Sequence, residues 1–328
     1  LCGYHLSVFE PGAELDGSFL AWLCRAEPLN DQFKLAANGV TRFGLGQYPM
    51  KNAFVALPPL KTQQRIARFL DEKTVQIDGL IEKKRALLDR LAEKRQALIT
   101  RAVTKGLNPD APMKPSGIDW LGDIPEHWGL QRIKHAVTHV VDCLHTTPDY
   151  DGESIYPAIR TADVDRGRLL LEQARLVSEE VYLERIQRLR PIAGDVLYSR
   201  EGERFGMAAL VPENVDLCLG QRMMMFRVSS EVSPSYFMWT LNSEAIIQQV
   251  SLYAGGSTSP HINIRDIINF SVPKPPFDKQ FSIANHILEK SEEIDRQRTL
   301  VIKSIETLDE YRSTLITAAV TGQISGLQ

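Results

Sequence analysis

Four histidines, His127, His135, His139 and His145, crowd one stretch of the chain, and His135 and His139 stand four residues apart. On a helix that spacing would turn both imidazoles toward one metal ion. No H-E-x-x-H pattern or cysteine partner accompanies them, so ordinary surface or core histidines are the expectation, and no metal site is assigned. Other catalytic patterns fail in the same way. Phe43-Gly44-Leu45-Gly46 has the wrong spacing for a cofactor-binding glycine loop, and Asn108-Pro109-Asp110 is not the Asn/Asp-Pro-Pro-aromatic motif of an adenine methyltransferase. Pro148-Asp149 is not followed by the Asp/Glu-x-Lys triplet that a nuclease uses to hold a metal ion. Glu82-Lys83-Lys84 is a coincidence of a charged helix. With no G-x-x-x-x-G-K-[ST] phosphate loop either, no residue is assigned a catalytic role.

Binding chemistry reads better. Between Pro115 and Pro275 there are 13 Arg and only 2 Lys, whereas residues 61–105 carry 6 of each. Arginine's planar fork matches guanine edges and phosphates, where lysine is a point charge. Arg175, Arg185, Arg188 and Arg190 lie among Glu172, Glu179, Glu180 and Glu184 and are expected to make surface ion pairs. The stronger candidates sit in turns between strand-like segments: Arg160-Thr161, the run Ser199-Arg200-Glu201-Gly202-Glu203-Arg204, and Ser257-Thr258-Ser259-Pro260-His261 after two glycines. The corresponding loop near the start of the chain adds Thr41 and Arg42. Met223-Met224-Met225 reads as core strand.

Residues 3–104 and 220–321 repeat one pattern at an ungapped offset of 217. Gly3 answers Gly220, Phe9 answers Phe226, Trp22 answers Trp239, and Pro58-Pro59 answers Pro275-Pro276. A period this long means a duplicated domain and not a solenoid, whose units run about 20–50 residues. The counterpart of residues 115–219 is missing before Leu1, so the expectation is a fragment of a chain about 100 residues longer.

After each proline pair comes a long amphipathic run. Residues 61–105 hold no proline and one glycine, Gly79, with Ile77, Leu80, Ile81, Leu87, Leu88, Leu91 and Leu98 spaced by threes, fours and sevens. Residues 277–321 show the same stripe in Ile283, Ile287, Ile294, Val301, Ile305, Leu308 and Leu315. Such spacing predicts two long helices with seams suited to pairing, each about 67 Å long at ~1.5 Å per residue. Residues 61–105 carry 12 Lys/Arg against 6 Asp/Glu, and residues 277–321 carry 6 against 8, so opposite signs favour pairing with each other. Pairing is expected through Ile77, Ile81, Leu88, Leu91 and Leu98 on one helix and Ile294, Val301, Ile305, Leu308 and Leu315 on the other. Strands are expected at Tyr156–Thr161, Val196–Ser199, Met207–Val211 and Arg222–Val228, and a helix over Pro234–Gln249.

The four cysteines, Cys2, Cys24, Cys143 and Cys218, form no C-x-x-C pair, and no apolar run reaches membrane length. A reducing, cytoplasmic setting without membrane contact is the expectation. Net charge is only −3, so overall charge does not announce nucleic-acid binding unless basic groups gather locally.

With repeat, proline pair and helix in hand, the chain resembles the specificity subunit of type I restriction–modification systems. Gly122-Asp123-Ile124-Pro125-Glu126-His127-Trp128 opens a module, and Gly194-Asp195-Val196-Leu197-Tyr198-Ser199-Arg200 stands in its middle. The Gly-Gly-Ser-Thr loop at 255–258 follows, and Pro-Pro-Leu-Lys-Thr-Gln-Gln-Arg-Ile-Ala at 58–67 is echoed at 275–284. The family pattern has Glu before the first Gln, where Thr62 and Lys279 stand here. The resemblance implies an α+β fold: mixed α/β target recognition domains joined by two long antiparallel α-helices in a coiled coil. On that pattern residues 1–58 are the C-terminal part of a first recognition domain and 59–106 the central helix. Residues 107–275 are a linker plus the second recognition domain, 276–322 the C-terminal helix and 323–328 a tail. The implied partners are double-stranded DNA with a split target, two modification subunits carrying S-adenosylmethionine, and restriction/translocase subunits that use ATP and Mg. The chain itself would hold no cofactor. A coiled-coil scaffold without a DNA role is the alternative.

Overall fold

The structure, a computed structural model, describes residues 7–39, 44–201, 204–253 and 262–327. Helices come first: α1 (Gly17–Leu23), α2 (Glu27–Ala36), α3 (Gln47–Lys51) and the 46-residue α4 (Leu60–Lys105). A mixed region follows, opening with β1 (Met113–Pro115), β2 (Asp123–Pro125), β3 (Gly129–Arg132), α5 (Ile133–Ala136), β4 (Val137–Asp142) and β5 (Tyr156–Ile159). It continues through β6 (Val164–Asp165), β7 (Arg168–Leu169), β8 (Arg175–Val177) and α6 (Glu179–Arg185). Then come β9 (Val196–Ser199), β10 (Ala208–Leu210), β11 (Cys218–Leu219) and β12 (Met223–Val228). Last are α7 (Pro234–Leu241), α8 (Glu244–Tyr253), α9 (Ile264–Ile267), β13 (Ser271–Lys274) and the 44-residue α10 (Phe277–Val320).

The long helices form where alanine, leucine and charged residues run without proline. Gly106 ends α4 with φ of +74°, and a Cβ there would lie 3.1 Å from the Trp128 ring. Both the left-handed turn and the close packing call for glycine. The helix expected over Pro234–Gln249 is instead two, α7 and α8. Asn242 and Ser243 break it: the Asn242 amide donates to the Met238 and Ala208 carbonyls, and the Ser243 hydroxyl to the Thr240 carbonyl. Short polar side chains that bond the backbone locally compete with helix continuation.

The chain divides into two compact units. One comprises Leu1–Leu91 and Arg296–Gln328, the other Ala92–Asp295. The first packs α1 and α2 on the start of α4 and the end of α10, around Phe19, Trp22, Leu29, Leu70, Ile316 and Val320. The second holds an antiparallel sheet ordered β10-β9-β12-β4 and a three-stranded sheet ordered β11-β5-β8, with β13 paired antiparallel to β3. Met223 to Phe226 of β12 are all buried, so the methionine run is core strand.

In the first unit α4 and α10 run antiparallel: Arg65 donates to the Leu327 carbonyl, and farther along α4 Asp78 meets Arg312. In the second unit Arg95 lies 3.9 Å from Asp295. Of the expected pairing residues, Ile77, Ile81, Leu91 and Ile294 are buried, while Leu88, Leu98, Val301, Ile305, Leu308 and Leu315 are half-buried. Leu80 and Leu87 face outward. One stripe per helix turns inward, and apolar residues off that stripe stay wet.

The repeat offset of 217 extends into atomic detail. In the first unit the Gln63 amide donates to the Glu14 and Pro58 carbonyls and accepts from the Asp16 N–H. In the second, Gln280 donates to the Glu231 and Pro275 carbonyls and accepts from the Ser233 N–H. Asp16 and Ser233 in turn cap α1 and α7. Ile99, Ala102 and Val103, from the end of α4, enter the second unit's core, and Ile316, Ala319 and Val320, from the end of α10, enter the first's. The Thr100 hydroxyl receives the Glu244 N–H that opens α8, as the Thr317 hydroxyl receives the Glu27 N–H that opens α2.

Candidate nucleic-acid interface

In the second unit several chain ends meet at one edge of the central sheet. Met223 of β12 stands opposite Ser199 of β9, and Met224 stands opposite Asp142 of β4. The Arg200 N–H donates to the Arg222 carbonyl, and the Cys143 N–H to the Met223 carbonyl. The Gly220 N–H donates to the Ile159 carbonyl at the end of β5, 2.7 Å away. A Cβ on Gly220 would lie 2.7 Å from that same oxygen, so only glycine permits the approach. Arg160, Arg200, Arg222, Asp142 and His145 are thereby gathered on one rim.

Among the sequence candidates, several side chains build this rim from within. Arg200 is nearly buried, with Nε 3.2 Å from Asp142 Oδ1 and Nη2 3.7 Å from Glu201 Oε1. Arg160 donates Nε and Nη2 to the two oxygens of buried Asp163, both at 2.9 Å. That carboxylate holds the Arg160 guanidinium above its ordinary pKa range. Ser199 is buried, Thr161 is half-buried, and Arg204 donates to the Val164 carbonyl. Ser257, Thr258, His261, Thr41 and Arg42 lie outside the described residues, as do Gly202 and Glu203.

Two residues that the sequence did not single out as DNA contacts are the exposed ones. Arg222 adopts φ of +63° and is 57% exposed, with Nε 3.4 Å from Glu201 Oε2. His145 is 69% exposed, with Nε2 3.1 Å from Asp142 Oδ2. Arg188 is exposed on the same side, donating to the Asp142 carbonyl. The signal for Arg222 was the glycine two residues before it at a strand–strand junction. A non-glycine residue with positive φ is uncommon and concentrates at such sites.

Of the four arginines expected to make surface ion pairs, Arg190 makes one, though with Asp216 and not with a neighbouring glutamate, and the others are engaged differently. Arg185 is buried and donates to the Leu219 and Thr146 carbonyls, Arg190 pairs with Asp216, and Arg175 lies 4.9 Å from the Tyr150 ring centre. His135 sits in α5 and His139 in β4, so they share no helix face. Among the described residues no cluster of His, Cys, Asp or Glu could hold a metal ion, and no helix is long and apolar enough to cross a membrane.

No family model matches the chain. It is 23% identical over 279 residues to the MjaVIII type I restriction enzyme specificity subunit of Methanocaldococcus jannaschii, covering 84% of this chain and 63% of that one. It is 22% identical over 295 residues to the EcoBI type I restriction enzyme specificity subunit of Escherichia coli, covering 88% of this chain and 62% of the relative. The chain thus spans less than two thirds of the length of either. Its fold matches a chain of a solved type I R-M system with a TM-score of 0.69 at 17% identity, over 93% of this chain and 71% of that chain. It also matches the HsdS subunit from Thermoanaerobacter tengcongensis with a TM-score of 0.50 at 16% identity, over 94% and 70%. The resemblance read from the sequence is borne out along most of the chain, as is the mixed fold with two long helices.

Proposed function

We propose, from this kinship with the non-catalytic specificity subunits of type I restriction–modification systems, that the chain directs such a complex to a bipartite sequence in double-stranded DNA. Each unit would read one half of the target. The α4–α10 pair would set the spacing and dock two modification subunits, with S-adenosylmethionine held by those partners and ATP and Mg by the restriction subunits. The observation that carries this reading is the repetition, hydrogen bond for hydrogen bond, of the Gln63 lock at Gln280. Two units built alike suit a target made of two separated words.

The rim around Arg200 supports a division of labour within the second unit. Pairs with one buried partner, such as Arg160–Asp163 and Arg200–Asp142, hold the loops, while Arg222 and His145 reach solvent and suit phosphates or base edges. Phosphate contacts set register, and a bidentate arginine on guanine contributes about 1–3 kcal/mol of discrimination. With a net charge of −3, much of the salt-sensitive affinity would come from the modification subunits. The test is co-expression with a type I modification subunit, followed by sequencing of methylated adenines. Methylation confined to one split motif is expected. Carboxylates at Leu91 and Ile305 together should abolish it at every site, while changes at Arg222 should alter only one half of the motif. A co-purifying complex without sequence-specific methylation would point to a scaffold instead.

A further inference from the structure

In the second unit the hairpin of β6 and β7 reaches from the rim to the long helices. Its near end is tied to the rim. Asp163, the partner of Arg160, stands immediately before β6, and Arg204 donates to the Val164 carbonyl 3.1 Å away. The Leu170 N–H donates to the Asp163 carbonyl and closes the hairpin. Its far end, Arg166-Gly167-Arg168, is held by both helices. Arg166 donates to the Gln96 side-chain oxygen on α4, and its own carbonyl accepts from Arg95 at 2.9 Å. Arg168 lies 3.2 Å from Asp295 of α10. Between these two arginines the Gly167 N–H donates to the Ala208 carbonyl of β10, and a Cβ on Gly167 would fall 2.5 Å from the Trp239 ring. Gln96 in turn donates to the Asn242 carbonyl, and the Asn242 side chain bonds both the N–H and the carbonyl of Ala208.

We propose that this turn is a latch: it fixes the angle between the second unit's central sheet and the stretches of α4 and α10 in the same unit, and so holds the two halves of the DNA target to one separation. This role rests on the function proposed above and adds Arg166 and Arg168 to it as positioning residues. Two kinds of joint connect the sheet to the helices. One is apolar, where Ile99, Val103, Ile283 and Ile287 share a core with Val196, Met224 and Phe226. Burial of apolar surface is non-directional, so this joint supplies cohesion with little preference for an angle. The other is the latch, built from charge-assisted hydrogen bonds whose geometry is directional. Phosphates of one strand follow each other at about 3.4 Å along the duplex, so a swing of the rim by that distance shifts its register by one base pair. A misplacement of about 1 Å can lower a rate on the order of a hundredfold, so a firm latch suffices to reject the neighbouring spacings. Arg166 and Arg168 lie away from the rim, so their loss should change the spacing accepted and not the words read.

The test combines Arg166→Ala and Arg168→Ala in the full 328-residue chain. Co-expressed with a type I modification subunit, the double variant is assayed on DNA carrying the split motif of the unaltered complex, at its native spacing and with one base pair removed or added. Methylation at the altered spacings, relative to the native one, should rise about tenfold or more, with both words unchanged. In the isolated chain, amide exchange over Arg166–Leu170 should quicken while Val196–Ser199 in the central sheet stays protected. An unchanged spacing preference overturns the proposal. So does an equal loss of methylation at every spacing, or faster exchange in both segments, since either marks a merely structural role. An unaltered complex that methylates no split motif sinks the functional reading, and the latch's role with it.

Discussion

Arg95 and Asp295 form in the second unit the ion pair that Arg312 and Asp78 form in the first, with the roles of the two helices exchanged. The pairs differ in burial. Arg95 is 9% exposed, lies over the Trp239 ring and donates to the Arg166 carbonyl, whereas Arg312 is 36% exposed. Arg95→Ala should therefore cost about 2 kcal/mol, because it removes the donor to the part-buried Arg166 carbonyl and the packing over Trp239, while Asp295 keeps Arg168 at 3.2 Å. Arg312→Ala should cost about 0–1 kcal/mol. Urea unfolding of the two variants measures the difference, and equal costs would refute the burial argument.

Gln63 and Gln280 each satisfy three backbone groups with one side chain. Replacement by Ala should destabilise either unit by about 2–4 kcal/mol, since buried backbone groups lose their partners. Glu at either position should be no better than Ala. A carboxylate keeps the acceptor but cannot donate to the two carbonyls. Thermal unfolding followed by circular dichroism distinguishes this from a requirement for size alone, under which Glu would restore stability.

On the rim of the second unit, Arg222 and Arg200 should separate cleanly. Arg222→Ala removes an exposed side chain and should change stability by less than about 0.5 kcal/mol. In the assembled complex it should lower the slope of log affinity against log salt by about one. Arg200→Ala leaves Asp142 without its nearly buried partner and should cost about 3 kcal/mol of stability. Binding isotherms at several salt concentrations, paired with unfolding curves, test both. An unchanged salt slope for Arg222→Ala would remove it from the interface.

Burial pushes the Cys218 thiol up to about 12, with Arg185 opposing the shift. The folded chain thus keeps a proton that the unfolded chain gives up near pH 9. This contribution to stability is complete below about pH 9 and is lost as pH rises toward 12, by about 1.4 kcal/mol per unit. The difference in unfolding free energy between the native chain and Cys218→Ala should therefore shrink between pH 8.5 and pH 10.5, by ~2 kcal/mol. A difference independent of pH would rule out the linkage.

Much of the architecture was legible in the sequence because it is written locally or repeated. Proline pairs start the long helices, Gly106 ends one, and apolar runs such as Val196–Ser199 and Met223–Val228 mark buried strands. The break at Asn242-Ser243 was missed because apolar periodicity continues across it. The candidate site was legible in part. Arg160 has its carboxylate only three residues away, at Asp163, a distance within reach of local reading. Arg200 finds Asp142 across 58 residues, through the pairing of three strands, and nothing beside it in the chain announces that partner. Arg222 combines a left-handed backbone angle with an exposed side chain two residues after Gly220, whose close approach to Ile159 comes from strand pairing that the local sequence does not announce.

The packing of Ile316, Ala319 and Val320 against Phe19 and Trp22 has a consequence for synthesis on the ribosome. The earliest helices emerge long before the residues that close over them. At roughly 5–20 residues per second, Trp22 waits on the order of 15–60 seconds for Ile316. The second unit draws its whole core from a continuous stretch and can close first, so the later part of the message matures before the earlier one. During that interval the nascent chain carries an unfinished apolar surface, and its yield in a cell should depend on the holding chaperones available to it.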